Sequence, residues 1–256
     1  LPVVLDAGLE GAPGWIPLRE GGFIEERRNM ALALPLMQGT MIGQFDFCAK
    51  RWVSGTGLRA VWEELDWNKK RLDPQFLVDA SNFTGASAGR FKVAFRNIAR
   101  NTDQRTMISS LLPPFPCAHA LTLVLSSGVS APAASASVLN SFVFDSIARV
   151  KCVGTHLDFH YIEDAVLPQK GDAAKWLETF AVRLNAPSPS LAPVWLGPHV
   201  IRRHAWRRMW AATTHERLRL RCVLDAVVAK LYSLNSDNLT QVLADCDHPT
   251  ARLADR

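Results

Sequence analysis

Hydrophobic and polar positions alternate along the stretch FKVAFRNIA, which begins at residue 91. Positions 91, 93 and 95 are apolar and would share one face of an extended strand, while positions 92, 94 and 96 would share the other. This period of two predicts a half-buried strand. The apolar run ALTLVLSS (120–127) predicts a second strand, buried on both faces, and TGASAGR (84–90) predicts a turn-rich loop. Residues 31–130 are therefore expected to be mixed, with a bias toward strands.

The period changes in the stretch SASVLNSFVFDSIARV (135–150). Apolar residues recur there at positions 138, 139, 142, 143, 147 and 150, a helical spacing that predicts one helix. The Pro- and Ser-rich segment APSPSLAP (186–193) predicts a linker, and it is the best internal boundary of the chain.

The pattern beyond this boundary is helical. Thr213 and Glu216 have capping-box spacing, with a hydroxyl and a carboxylate that can each satisfy a free backbone amide. Apolar positions 220, 224, 227 and 231 then form a stripe that predicts a core-facing helix. SLNSDN is expected to end this helix, and Ser236 or Asn235 is expected to cap a short last one.

These patterns divide the chain into three segments. Residues 1–30 are rich in Gly and Pro and then charged, so we expect a connecting segment with little structure of its own. Residues 31–185 are expected to form a strand-rich mixed lobe, and residues 186–256 a helical lobe. The predicted fold class is α+β.

Composition restricts the classes of protein to which the chain can belong. The 256 residues, nearly half of them apolar, suffice for one large domain or two small ones. The formal charge of +5 permits a polyanionic partner. Five scattered cysteines without a CxxC pair argue against a disulfide scaffold and indicate the reducing cytoplasm. No apolar run is long enough for a bilayer, so no membrane is expected, and both ends look cut from a longer protein.

Three motifs invite a catalytic or ligand-binding interpretation. LLPPF (111–115) resembles the Asp/Asn-Pro-Pro-aromatic loop of DNA amino-methyltransferases, but Leu112 occupies the position of the hydrogen-bond acceptor, so we expect a strand ended by prolines. VSGTGL (53–58) has no preceding buried strand and is expected to be a plain turn rather than a cofactor loop. THLDFHYIED (155–164) places His156, Asp158 and His160 at alternate positions, which on a strand could ligate a metal, although a solvent-facing edge is favoured.

Basic residues carry more information. The stretch HVIRRHAWRRMWAATTHERLRLR (199–221) holds seven arginines and a single acid, with tryptophans interleaved. Arginines on such a helix face could neutralise phosphates, or they could be solvated, with their stems covering the core. A shorter cluster, at residues 95–106, places arginines at positions 96, 100 and 105 around an Asn-Thr turn.

Four blocks, in order, resemble the region that follows the catalytic domain in large adenine-specific DNA methyltransferases of restriction–modification and phage-defence systems. LPLMQGTMIGQFDF (34–47) is similar to the family's P-L-Y-E-G-K-M-…-Q-F-D stretch, and FRNIARNTDQRTMISSLLPP (95–114) to its Y-R-…-I-A-…-T-N-E-R-T-…-I-…-L-P-P segment. Residues 139–168 resemble L-N-S-…-F-D-…-R-…-G-…-H-L-N, and residues 224–243 resemble L-D-A-…-A-…-L-Y-G-L. The chain departs from the family at five positions: Gln38, Thr40, Asp103, Gln104 and Ser233.

The resemblance implies a target recognition lobe at residues 31–185 that binds double-stranded DNA. It places methyl transfer and S-adenosylmethionine in a separate catalytic domain, on the same polypeptide or on a partner subunit. No catalytic, cofactor-binding or metal-ligating residue is expected in this chain. The residues expected to contact DNA are Lys50, Arg51, Arg96, Arg100, Asn101, Arg105, Thr106, His156, Arg202, Arg203, Arg207 and Arg208.

Two alternatives remain open. At the turn, Arg105 could instead pair with Asp103 and stabilise the loop. For the whole chain, the basic C-terminal helices could dock an acidic partner subunit, which requires that the apolar stripe at positions 220–231 be uncovered. A metal-dependent hydrolase that uses His156, Asp158 and His160 is a more distant third hypothesis.

Overall fold

The computed structural model describes residues 4–6, 15–17, 23–25, 32–67, 70–126, 131–169, 171–185, 188–196 and 210–245. Within these ranges the first half of the chain forms three small antiparallel sheets, and helices dominate after residue 131. The mixed α+β class predicted from the sequence is confirmed.

The first sheet has five strands in the order β1-β7-β4-β3-β2. Its members are β1 (Val4–Asp6), β2 (Trp15–Pro17), β3 (Phe23–Glu25), β4 (Leu32–Pro35) and β7 (Phe76–Asp79). All neighbouring strands are antiparallel. The expectation that residues 1–30 have little regular structure is wrong at β1, β2 and β3, because short strands of three residues give too little pattern to be recognised in a Gly- and Pro-rich segment.

A second sheet places β8 (Lys92–Arg96) between β9 (Ser109–Leu112) and β10 (Leu121–Val124). β8 was predicted as a half-buried strand, but residues 92–95 are buried on both faces, because β8 is the central strand and helix α1 (Ala131–Leu139) packs on this sheet. β10 was predicted as doubly buried, but it is an edge strand and most of it is only half-buried. Lys92 lies on the face of β8 that the pattern predicted to be polar. Because this residue is buried, its Nζ needs a hydrogen-bond acceptor, and it donates to the carbonyl of Phe115 at 2.6 Å.

The third sheet is a two-stranded hairpin of β5 (Lys50–Ser54) and β6 (Val61–Glu64). The glycines of the VSGTGL stretch lie in its turn, so the expectation of a plain turn is confirmed. The LLPPF stretch is the end of β9 followed by prolines, as predicted, and Leu112 is fully buried.

The predicted helix at 135–150 is two helices, α1 (Ala131–Leu139) and α2 (Phe142–Lys151). The chain turns at Asn140 and Ser141, and the Ser141 hydroxyl caps α2 by accepting from the amide of Phe144 at 3.2 Å. The remaining helices are α3 (Phe159–Glu163), α4 (Ala174–Asn185), α5 (Ala192–Trp195), α6 (Thr214–Leu231) and α7 (Ser236–Asp245).

One apolar cluster includes residues from both predicted lobes. Phe45 and Phe95 from the strand-rich part belong to it together with Leu191, Val194 and Leu224 from beyond residue 186. Within the predicted linker, Leu191 is thus buried in the core, whereas Pro193 is exposed. None of the described helices is long and apolar enough to cross a bilayer.

The last two helices each begin at a predicted cap, but the half of the capping box that was expected from Glu216 is not formed. The Thr213 hydroxyl accepts from the amide of Glu216 at 3.2 Å, but the Glu216 carboxylate accepts from Arg183 at 2.6 Å. Asn235, one of the two predicted caps of α7, accepts from the amide of Asn238 at 2.8 Å, and the Asn238 side chain accepts in return from the amide of Asn235.

Candidate nucleic-acid interface

The turn that follows β8 is exposed and tightly held. Residues 100–104 are all exposed, and the carboxylate of Asp103 accepts from the amide of Arg100 at 2.9 Å. The guanidinium of Arg149 donates to three backbone carbonyls of the turn: Asn101 at 2.6 Å, Asp103 at 2.7 Å and Gln104 at 2.8 Å. The side chain of Arg149 therefore holds most of the backbone of the turn, while residues 100–104 remain exposed.

Arg149 is itself positioned by a buried acid. Asp145, one turn earlier on α2, is fully buried and accepts from Arg149 Nε at 3.0 Å and from the amide of Met107 at 2.7 Å. Arg149 is only 9% exposed, so the fork of its guanidinium is held by packing as well as by bonding. The result is a turn held in one conformation before any ligand binds.

A second loop lies directly beside this turn. The amide of Ala99 donates to the carbonyl of Thr155 at 3.2 Å, and the amide of Leu157 donates to the carbonyl of Asn97 at 2.6 Å. We call residues 97–104 together with residues 152–158 the double-loop surface. His156 bridges to Ile98 in this pairing, its side chain is exposed, and its Nδ1 lies 3.0 Å from the Thr155 hydroxyl.

The double-loop surface brings together three of the residues expected to contact DNA. Arg100, Asn101 and His156 are all exposed there. The Arg100 side chain makes no ion pair with any other described residue. Its guanidinium can grip a phosphate or a guanine edge, and an amide such as that of Asn101 can pair with an adenine edge. Two exposed acids, Asp103 and Asp158, also lie on this surface, so its character is polar rather than uniformly basic.

Arg96 and Arg105, by contrast, point inward. Arg96 donates to the carbonyl of Ile42, and burial lowers its pKa. Arg105 donates to the carbonyl of Asn140, lies 4.3 Å from the centroid of the Phe142 ring, and is 12% exposed.

The other contacts around Arg96 and Arg105 also stabilise the turn. Thr106 is fully buried, and its hydroxyl donates to the carbonyl of Arg100 at 2.9 Å. The alternative pairing of Arg105 with Asp103 is not formed, because Arg105 Nε lies 3.8 Å from Asp145 and Asp103 is bonded to the backbone. Arg96, Arg105 and Thr106 thus hold the base of the turn.

Lys50 and Arg51 lie on β5 and are compensated across the hairpin. Lys50 Nζ is 3.4 Å from Glu64, and Arg51 makes two contacts with Glu63, at 2.5 and 2.7 Å. Arg51 also lies 3.7 Å from Asp73. The four remaining expected contacts, Arg202, Arg203, Arg207 and Arg208, lie outside the described residues.

The sequence did not indicate a polar network that Arg105 joins to the base of the turn. Its centre is Asn140, whose side chain exchanges two hydrogen bonds with the backbone of Ser109, at 3.0 and 2.9 Å. The carbonyl of Asn140 accepts from Gln44 at 2.8 Å, and Gln44 accepts from Arg221 at 3.0 Å. A capping signal at Ser141 could have located the break between α1 and α2, but not the partners of Asn140.

The four blocks that carry the family resemblance meet in this network. Gln44 comes from the first block, Ser109 from the second and Asn140 from the third. Asp225 from the fourth block accepts from the amide of Phe142 at 2.8 Å, and burial raises its pKa to about 6. Residues from Gln44 to Asp225, which are 181 positions apart in the chain, thus form one buried to half-buried support.

One arginine of α6, at position 217, is also buried. Arg217 donates to the carbonyl of Leu184 at 2.7 Å and stacks on Trp67, with its Cζ 3.4 Å from the ring centroid. Burial lowers its pKa to about 9, although Asp46 opposes that effect. Arg217 belongs to the basic stretch 199–221, so at this position the interpretation as a core-covering arginine holds.

The metal-site hypothesis and the partner-docking hypothesis each require an arrangement that the described residues do not show. His156 forms an isolated β-bridge with Ile98 and His160 lies on α3, so the three side chains do not share a strand face, and no group of three possible metal ligands occurs among the described residues. The apolar stripe of α6 is largely covered, since Leu220 and Leu224 are 2% and 1% exposed, and Val227 and Leu231 pack against the core. A partner subunit would therefore find little of that stripe accessible.

Comparison with known proteins returned no match: neither a protein-family model, nor a curated protein, nor a solved structure corresponds to this chain.

Proposed function

We propose that this chain is the duplex-DNA recognition module of an adenine-specific DNA methyltransferase from a restriction–modification or phage-defence system. Methyl transfer, and the binding of S-adenosylmethionine, belong to a separate catalytic domain, on the same polypeptide or on a partner subunit. The chain itself positions the DNA in the cytoplasm and performs no chemistry.

One observation carries this proposal. The double-loop surface presents Arg100, Asn101 and His156 to solvent on a backbone that Arg149 fixes through three carbonyl groups. A recognition surface benefits from such preorganisation, because less conformational entropy is lost on binding. The polar side chains of this surface are of the types that contact phosphates and base edges.

The Asn140 network gives the resemblance a physical meaning. The matching blocks supply buried or half-buried groups such as Gln44, Asn140 and Asp225, which join the strands to α2 and α6. Through Arg105, which donates to the carbonyl of Asn140, the network reaches the base of the turn, and it leaves the exposed side chains of the double-loop surface free to vary. A family of recognition modules that reads different DNA sites is expected to keep the support and to vary the surface.

The test uses fluorescence anisotropy to measure how the purified chain binds a random-sequence duplex across a salt series. We expect the logarithm of the affinity to fall linearly with the logarithm of the salt concentration, with a slope of about 0.9 for each phosphate neutralised. R100A should weaken binding and reduce this slope by about one phosphate contact.

The matched control is R219A, which removes the same charge from an exposed position on α6. It should leave the slope nearly unchanged. Equal effects of R100A and R219A would assign the affinity to overall charge and contradict the proposed surface. An absence of binding at low salt would contradict the proposed function.

A further inference from the structure

The hairpin of β5 and β6 ends in a surface that the proposed function does not use. All but one of the residues 53–61 are exposed, and Leu58 at the turn has a relative exposure of 108%. Val53 and Val61 on the two strands beside it are 47% and 52% exposed. We call residues 53–61 the hairpin tip. Three aliphatic side chains at the end of a projecting ribbon form a small apolar surface that no described residue covers.

The charged side chains are unevenly distributed along this hairpin. The acids Glu63 and Glu64 lie in its stem, where each is paired with a basic residue on β5. The hairpin tip contains no acid, and its one charge, on Arg59, forms no ion pair with any described residue. The tip is thus apolar and cationic at once, and it also includes the hydroxyls of Ser54 and Thr56.

The tip is also rigid. The carbonyl of Gly55 accepts from the indole of Trp52 at 2.9 Å and from the buried side chain of Gln75 at 3.2 Å. Gly55 has a φ of +76°, and a Cβ at this position would lie 2.2 Å from the carbonyl oxygen of Arg59. The close turn that presents Leu58 and Arg59 therefore depends on glycine at position 55.

We propose that the hairpin tip is a second DNA contact, at which Leu58 acts as an apolar wedge against a base step while Arg59 binds the adjacent phosphate. A two-stranded ribbon fits a DNA groove, and apolar side chains inserted between base pairs are a known means of unstacking and bending the duplex. The absence of acid and the free charge of Arg59 favour DNA over a basic or neutral protein surface. This inference rests on the proposed function, since it assumes that the chain binds duplex DNA.

The test measures base unstacking and affinity together. The probe is a short duplex that carries 2-aminopurine at several pyrimidine–purine steps, whose fluorescence rises when the base loses its stacking partner. Wild type is expected to raise the fluorescence, and L58S to abolish this rise and to weaken binding about tenfold. R59A is expected to reduce the salt slope by about 0.9 while leaving part of the fluorescence rise.

The matched control is L167S, because Leu167 is also an exposed leucine, at 53%, but lies far along the chain from the hairpin. Both leucines are exposed, so neither substitution should affect folding. Salt-dependent binding by wild type without a fluorescence rise, and with L58S equal to L167S, would overturn the wedge and leave the proposed function standing.

Two other outcomes would also overturn the inference. If wild type does not bind the duplex, the wedge and the proposed function both fail. If L58S binds DNA as wild type does but loses a concentration-dependent self-association seen by sedimentation, the hairpin tip serves a protein contact instead.

Discussion

Replacement of Arg149 by methionine tests the central structural claim, that one guanidinium holds the exposed turn at residues 100–104. R149M keeps most of the apolar stem of the side chain, although methionine is shorter than arginine, while it removes the charge and every donor. The substitution breaks the bonds to the carbonyls of Asn101, Asp103 and Gln104 and the ion pair with Asp145. The turn should lose its fixed backbone, whereas α2 should remain helical.

The magnitude follows from what each partner loses. The three carbonyls lie in an exposed turn and can be hydrated, so their loss costs less than the full value of charge-assisted hydrogen bonds. Asp145 is fully buried, and it keeps the amide of Met107 and a distant contact with Arg105 at 3.8 Å. Partial loss of partners for a buried carboxylate adds a further cost. Together we expect a decrease in the free energy of unfolding of roughly 2–4 kcal/mol.

The assay is urea denaturation combined with hydrogen exchange of the peptide that covers residues 97–107. We expect R149M to lower the urea midpoint and to speed exchange at the turn. R149K should recover only part of the loss, because an ammonium lacks the planar fork that spans several carbonyls. K151M, which removes a charge from the same helix, is the control. Unchanged stability and exchange in R149M would refute the claim that Arg149 holds the turn.

Three further outcomes are expected. Burial raises the pKa of Asp225 to about 6, so folding favours its protonated form; its stabilising effect is complete below about pH 4 and is lost as the pH rises through 6. Thermal unfolding of wild type and D225N across this range should show that the free energy of unfolding of wild type falls by on the order of 2–3 kcal/mol relative to that of the variant. A constant difference between the two would contradict this assignment. G55A should destabilise the chain by more than 1 kcal/mol beyond G57A, because a Cβ at Gly55 meets the carbonyl of Arg59 at 2.2 Å whereas one at Gly57 meets nothing within 4 Å; equal urea midpoints would speak against the rigid tip. In a C246S background, a thiol reagent at neutral pH should label Cys222 first, since it is the exposed cysteine among the four that the structure describes; fast labelling that persists after C222S would be the contrary result.

Local patterns predicted the elements well where the signal is itself local. The alternation in FKVAFRNIA identified β8, and the Thr213 and Asn235 caps marked the starts of α6 and α7. Such signals depend on residues within a few positions of one another, so they are legible in a sequence. The glycine pair in VSGTGL predicted a turn for the same reason.

Burial and partner choice could not be predicted in this way, because they depend on which elements meet. Lys92 occupies the polar face of the β8 pattern, yet it is fully buried, since the carbonyl of the distant Phe115 accepts a hydrogen bond from its Nζ and α1 covers the sheet. The break between α1 and α2 was hidden because apolar residues on both sides keep a helical spacing across Asn140.

The same limit applies to the candidate site. Spacing alone grouped the arginines at positions 96, 100 and 105, but only Arg100 faces solvent. The other two point to carbonyls on segments fifty-four and thirty-five residues away in the chain. Arg149, which organises the turn, lies forty-five or more residues from the groups that it binds, and no local pattern connects them.

The measurement that tests the proposed interface most directly is hydroxyl-radical footprinting of the chain with and without duplex DNA. Ile98, His156 and Val153 are exposed on the double-loop surface, and Trp176 on α4, 60% exposed, serves as the internal reference. If the double-loop surface contacts DNA, oxidation of the three residues should fall on binding relative to that of Trp176. Undiminished oxidation at all three while DNA is bound would show that the chain holds DNA elsewhere, and the double-loop surface would then not be the recognition site.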